Sequence, residues 1–243
     1  MTDTPRPRRI GHKGADHIAP GNTTASFDAA LSHGCDMVEF DVLPERGGDG
    51  EYTGHLVLAH DFKDAARRTP LTLEEGLDHL SSEAFAGIEL DVDLKTHGYE
   101  ERVIAALRER GMEERTLIST METVSLPVLR SLSDTVRIGW SVPKVKRNYL
   151  AHPATMPLAL ATVQLLRRTV PRAVTRAMRA GEIDACMSHS SLVTPHFVRA
   201  VERAGGELYV WTVDDAAKIR KFERMGVTGV ITNDPRLFDP LPA

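Results

Sequence analysis

The chain has 243 residues, 42% hydrophobic and 26% charged, with a net charge of −4. That composition is ordinary for a globular protein, and the slightly acidic balance gives no pull toward nucleic acid. No run approaches the roughly 20 consecutive apolar residues of a membrane span.

The N-terminal MTDTPRPRR is basic, and no apolar run of signal-peptide length follows it, so a cytoplasmic location is expected. Arg9–Gly11 reads as a short strand ending at His12, with Lys13 and Gly14 behind it. A helical pattern over Thr24–His33 stops at Gly34. Met37–Val42 follows as a strand, and its VEFDV string puts Glu39 and Asp41 on the same face. Leu56–Ala59 is a further strand, closed by His60 and Asp61.

Leu73–Leu80 has helical periodicity, and Ile88–Leu94 is a strand within IELDVDLK. Helix Tyr99–Glu109, strand Thr116–Ser119, helix Thr123–Leu132 and strand Arg137–Trp140 come next. Residues 141–181 then break the rhythm. They contain no acid but carry Lys144, Lys146, Arg147, Arg167, Arg168, Arg172, Arg176 and Arg179, around an apolar centre at Met156–Leu166. This basic, amphipathic excursion is either a helix with a solvated outer face or a lid or phospholipid-facing surface. The pattern resumes with strand Ala185–Ser188, helix Pro195–Ala204 behind Thr194, strand Leu208–Thr212, helix Asp215–Met225 and strand Val230–Thr232. Gly111, Gly205 and Gly226 stand where helices should end.

Short strands alternating with helices predict parallel βαβ units, and the length suits one TIM (β/α)8 barrel spanning residues 1–243 as a single domain. Nine candidate strands are one more than such a barrel holds. Cys35 and Cys186 lie far apart and form no CxxC pair, so they read as buried small residues, neither a disulfide framework nor a zinc site.

Two carboxylates held side by side need a cation. At the carboxyl end of a barrel strand, Glu39 and Asp41 would face the catalytic mouth and offer hard oxygen ligands suited to Mg²⁺ or Ca²⁺. Alone, such a pair equally describes a solvated surface strand. IELDVDLK weighs against that, because Glu89, Asp91, Asp93 and Lys95 alternate with Ile88, Leu90, Val92 and Leu94. Three acids on one face of a strand covered on both sides lead to the expectation of a metal or a cationic partner, a partly solvated edge strand being the alternative. His12 and His60 sit at strand ends, where two imidazoles flanking a phosphate can act as general acid and base. The other histidines read as structural.

These residues resemble the glycerophosphodiester phosphodiesterase family. Its HRG, PENT, ExDV and HD motifs are matched in order by HKG at His12–Gly14, PGNT at Pro20–Thr23, EFDV at Glu39–Val42 and HD at His60–Asp61. VWTVDD at Val210–Asp215 and GVTGVITNDP at Gly226–Pro235 look like its WTVN and GVDGIITDxP segments. The resemblance implies metal-dependent hydrolysis of a glycerophosphodiester such as glycerophosphocholine. His12 and His60 would be the acid/base pair, and Glu39, Asp41 and Asp93 the metal ligands, Asp93 replacing the glutamate of an E-x-K strand ending. Asp91 and Glu89 are held in reserve. Lys13 and Lys95 would face the phosphate, and Trp211 would wall the alcohol or choline pocket.

Three departures stand out. Lys13 replaces an arginine and so gives up bidentate phosphate contact. Gly21 replaces the PENT glutamate, whose carboxylate is then missing or supplied elsewhere, with Glu89 as one source. The insertion after the second strand, between His60 and Leu73, is short or missing, which implies an open site. DLKT at Asp93–Thr96 also looks like the sphingomyelinase D and phospholipase D toxins, so cleavage of lysophospholipid or sphingomyelin is an alternative. A barrel that binds phosphodiesters or phospholipid without turnover is another. The expected partner is a small-molecule phosphodiester or lysophospholipid, with peripheral membrane contact left open and no indication of oligomeric state.

Overall fold

The computed structural model describes residues 6–144 and 156–239. In chain order it contains β1 (Arg8–Gly11), α1 (Thr24–Ser32), β2 (Met37–Arg46), β3 (Tyr52–Leu58), α2 (Phe62–Ala65), α3 (Leu73–Leu80), β4 (Glu89–Leu94), α4 (Glu100–Glu109) and β5 (Thr116–Thr120). There follow α5 (Ser125–Leu132), β6 (Arg137–Val142), α6 (Met156–Arg179), β7 (Ala185–His189), α7 (Pro195–Arg203), β8 (Glu207–Trp211), α8 (Ala216–Met225) and β9 (Gly229–Thr232).

Local chemistry sets the helix ends. Thr23 caps α1 in a reciprocal pair with Ser26, Thr72 and Glu75 do the same for α3, and Thr194 accepts from Phe197 N ahead of Pro195 in α7. Gly226 closes α8 in the left-handed region, at φ 79°.

All strands except β3 are parallel, in the order β1-β9-β8-β7-β6-β5-β4-β2, and β1 pairs back onto β2 to close a TIM barrel. The surplus strand has a simple cause. β2 outruns the barrel, and beyond its carboxyl end it folds back on β3 as an antiparallel hairpin with Leu58 opposite Val42 and Tyr52 opposite Arg46.

Period-two alternation divides the core. Ile10, Met37, Leu117, Ala185, Met187, Tyr209 and Ile231 form one buried cluster inside the barrel. Strand residues of the opposite parity, such as Val38, Phe40, Leu90 and Val92, join a larger cluster with Phe27, Leu77, Leu107 and Phe197 from the helices. Each large side chain so buried stabilises the fold by about 1.5–3 kcal/mol. Both cysteines are buried and unpaired.

The amino end of the barrel is closed by charge. Arg8 and Arg137, opening β1 and β6, each bridge Glu89 (3.2 and 2.6 Å) and Glu207 (3.0 and 2.9 Å). This corrects the expectation for Glu89. It shares a face with Asp93 but stands four residues earlier, roughly 13 Å down the strand, so it neither reaches the carboxyl-end acids nor replaces the PENT carboxylate.

Residues 156–179 of the basic excursion are one long helix, α6. Lys146 and Arg147 lie outside the described residues, and Lys144 pairs with Glu122 at 2.6 Å. Among the described residues no helix is long and apolar enough to cross a membrane.

Candidate active site

β2 and β4 lie side by side with Glu39 opposite Asp91 and Asp41 opposite Asp93, so four acids of one parity face the barrel interior toward its carboxyl end. Ligand oxygens of Glu39, Asp41 and Asp93 all lie within 4.8 Å of one another. Lys95 Nζ ion-pairs with Asp41 and, at 2.5 Å, with Asp93. One ammonium therefore faces three carboxylates, two of them buried. Burial and then Asp41 push the Glu39 carboxyl well above its ordinary range. Burial pushes Asp41 up as well, but Lys95, then His60 and His12, outweigh it and hold that carboxyl low. The excess of negative charge and the all-oxygen donor set fit a hard divalent cation.

Asp91, one pleat deeper, is excluded from that group. Burial, reinforced by Asp93, raises its pKa to about 7.

The loop after β1 holds these acids in place. Lys13 N donates to Glu39 Oε2 at 2.7 Å, Asn22 Nδ2 donates to Asp41 Oδ2 at 2.8 Å, and Asp41 N returns a bond to Asn22 Oδ1 at 3.0 Å. Lys13 and Asn22 have φ of 50° and 60°, and Asn22 N closes the loop on Lys13 O at 3.0 Å. The left-handed conformation costs on the order of 1–3 kcal/mol at Lys13 and less at Asn22, and both residues set the carboxylates. Asn22 belongs to the PGNT string, yet its role was missed. The signal was an asparagine, which tolerates positive φ, in a loop beside a glycine.

Gly21 is explained by its neighbours. A Cβ there would lie 2.5 Å from Asp16 Oδ1. Asp16 accepts from Gly21 N at 2.8 Å and pairs with Lys13 Nζ at 2.5 Å. A carboxylate thus arrives from Asp16, not from position 21, and it engages the Lys13 ammonium.

His12 follows β1, and its Nδ1 lies 2.5 Å from Asn233 Oδ1 just after β9. Asn233 Nδ2 donates to Asp214 Oδ2 at 2.7 Å, and Asn233 N donates to Asp214 Oδ1 at 2.8 Å. A carboxylate only accepts, so Asp214 fixes the amide orientation and turns Oδ1 toward the imidazole. Nδ1 then carries the proton and Nε2, 3.9 Å from Glu39 Oε2, is left as a lone pair. Burial depresses the His12 pKa against the opposing pull of Asp41, which keeps the ring neutral. Beside the WTVN and ITDxP segments, the amide and the carboxylate have traded places at positions 214 and 233.

His60 stands on the rim beyond β3, with its side chain 55% exposed and its Nδ1 3.8 Å from Asp61 Oδ2. Trp211 ends β8, and its Nε1 donates to Met187 O at 2.9 Å. The His189 ring meets it edge-on at 5.2 Å. Asp16, His189, Asp214 and Asn233 were not singled out by sequence, although all but Asp16 lie at strand ends facing the mouth.

The sequence profile of the glycerophosphoryl diester phosphodiesterase family matches residues 12–63 and 72–237. A glycerophosphodiester phosphodiesterase of Caldanaerobacter subterraneus subsp. tengcongensis is 25% identical, over 93% of this chain and 93% of its own length. One of Arabidopsis thaliana is 28% identical, over 97% of this chain and 73% of its own length. The fold is shared with an Oleispira antarctica phosphodiesterase crystallised with the product sn-glycerol-3-phosphate, with a TM-score of 0.64 and 21% identity, covering 95% of this chain and 94% of that one.

Proposed function

We propose that this chain, which belongs to the glycerophosphoryl diester phosphodiesterase family, hydrolyses a glycerophosphodiester such as glycerophosphocholine to glycerol phosphate and the free alcohol. The observation that carries the reading is the group of Glu39, Asp41 and Asp93, with oxygens within 4.8 Å, beside a His12 whose tautomer is set.

Glu39, Asp41 and Asp93 would hold Mg²⁺ or Ca²⁺, which when bound supplies Lewis-acid polarisation of a phosphate oxygen. The remaining work falls to the chain. His12, neutral and with Nε2 bare, takes the proton of the attacking nucleophile, either water or glycerol's neighbouring hydroxyl, whose cyclic phosphate water then opens to glycerol phosphate. His60, on the rim, delivers a proton to the leaving oxygen. Lys95 and Lys13 offset charge at the phosphate, each already poised against carboxylates. Trp211 and His189 wall the alcohol, and a choline would rest on the indole face.

A lysophospholipid is the second reading for the substrate. It is favoured by apolar side chains on the rim, Tyr52 and Val124, each 57% exposed.

The test uses purified protein with Mg²⁺ or Ca²⁺ against glycerophosphodiesters, lysophospholipids and sphingomyelin, with and without chelator. Turnover of a glycerophosphodiester that the chelator abolishes is expected. A folded, metal-binding protein that turns over no member of the panel would instead be a non-catalytic binding barrel.

A further inference from the structure

Six large apolar side chains among the described residues are notably exposed: Ile18 (37%), Tyr52 (57%), Val124 (57%), Val128 (42%), Leu160 (54%) and Leu165 (60%). They are scattered in sequence, yet all fall toward one end of the barrel. Ile18 lies in the loop leaving β1, Tyr52 at the far end of the β2–β3 hairpin, and Val124 and Val128 at the start of α5. Leu160 and Leu165 lie in the first half of α6. Each position is on the side where a strand hands over to its helix, which is the carboxyl end of the barrel. The opposite end presents the Arg8, Glu89, Arg137 and Glu207 ring. Single exposed apolar residues need no explanation, but their confinement to one end of a barrel does.

α6 gives this end its reach. Its 24 residues span about 36 Å. The second half packs on the barrel through Val170, Val174, Ala177 and Met178, whereas no residue from 160 to 169 is buried. Arg167 Nε donates to Ser191 O, in the turn after β7, at 2.8 Å and marks where the helix crosses the rim. Leu160 therefore stands two helical turns, roughly 10 Å, above that crossing.

Charge selects the partner. Residues 141–181 hold no acid, in a chain whose net charge is −4. Arg168, Arg172, Arg176 and Arg179 are all exposed and follow Leu165 on one helical face at spacings of three and four. A second copy of the chain would bring this stripe against its like. An anionic phospholipid surface matches both features, accepting apolar anchors and pairing the arginines near the rim with lipid phosphate.

We infer that the mouth end of the barrel docks on an anionic phospholipid bilayer, with Leu160 and Leu165 entering the headgroup layer and Arg168 and Arg172, the exposed α6 arginines nearest the rim, against the lipid phosphates. Docking places the catalytic mouth over the membrane. It rests on exposure and charge alone, so it can fail without the catalytic reading failing.

The experiment sediments the full chain with vesicles of phosphatidylcholine, or of phosphatidylcholine with one-third phosphatidylglycerol, at low and high salt. Binding to the anionic vesicles is expected, about tenfold or more weaker on the neutral ones and at high salt. Leu160→Glu with Leu165→Glu should weaken it by about tenfold or more, and Arg168→Gln with Arg172→Gln by about fivefold per residue. Circular dichroism and Tm of these surface variants should match the parent. Absence of binding to anionic vesicles, or equal binding to both kinds, overturns the inference. So does self-association in sedimentation velocity that the leucine substitutions abolish, which would give the face to a second copy.

Discussion

His12 and Asn233 meet where β1 and β9 end side by side, Nδ1 to Oδ1 at 2.5 Å, and Asp214 holds the amide that makes this contact. In the proposed mechanism Asn233 would act through His12, as a positioning residue. The orientation depends on one amide against one carboxylate, so the pair should tolerate exchange better than loss. Asn233→Asp sets two carboxylates face to face, and Asp214→Asn frees the amide to turn. Each single change should lower kcat on the order of tenfold or more with little effect on KM, and the double exchange should recover most of it. Steady-state kinetics on the four proteins decide this. A double variant no better than the worse single one would remove Asn233 from that role.

His60 is a different kind of group. With a side chain 55% exposed, it contributes little to packing. His60→Ala should lower kcat by about 10²- to 10⁴-fold while shifting stability by no more than about 0.5 kcal/mol. Rates within a few-fold of the parent, measured alongside urea unfolding, would mean that another group protonates the leaving oxygen.

Much of this arrangement was readable from period-two patterns. Glu39 and Asp41 share a face because strands alternate, and Glu89, Asp91 and Asp93 do so for the same reason. Alternation does not tell one end of a strand from the other. Glu89 is separated from Asp93 by the partners it meets, Arg8 and Arg137, which come from strands remote in sequence. The roles of Asn22, Asn233 and Asp214 depend on loop backbone, including positive φ at Lys13 and Asn22, which no periodicity encodes. The antiparallel return of the surplus strand β3 had a signal in the glycine-rich GGDG between Arg46 and Tyr52, which suits a hairpin turn. α6 was harder to read. Its lack of acids marked it, but the point where it leaves the barrel follows from packing at Val170 and Val174.

Lys95 is the one ammonium among the described residues that pairs with Asp41 and Asp93, and its removal tests whether those acids want a cation. Burial lowers its pKa, yet Asp41 and Asp93 together hold it well above the ordinary lysine value, so it is charged. Lys95→Met leaves Asp41 and Asp93 without a counter-charge, which costs about 3 kcal/mol or more when one partner of a buried pair is removed. In chelator the variant should melt several degrees below the parent. Mg²⁺ or Ca²⁺ should narrow that gap, because a divalent ion supplies the missing charge and stabilises only the folded state. An identical gap with and without the ions would argue that the acid cluster binds neither.

Asp91 gives the pH dependence its sign. Burial, then Asp93, raises its pKa to about 7, whereas in the unfolded chain an aspartate titrates at about 3.9. Between these values the folded state holds a proton that the unfolded state has released. Folding stability in chelator therefore falls as pH rises from about 4 through 7, and above that the full cost of a buried, ionised carboxylate is present. Asp91→Asn keeps the shape and removes the charge. It should raise Tm by several degrees at pH 8, leave it nearly unchanged at pH 4, and flatten the parent's decline in between. Thermal melts of both proteins across that range, all in chelator, provide the measurement. A variant less stable than the parent at pH 8 would mean that Asp91 is satisfied as an anion in the folded protein, through Ser119 or a cation on the far side, and would return it to the set of metal-facing acids.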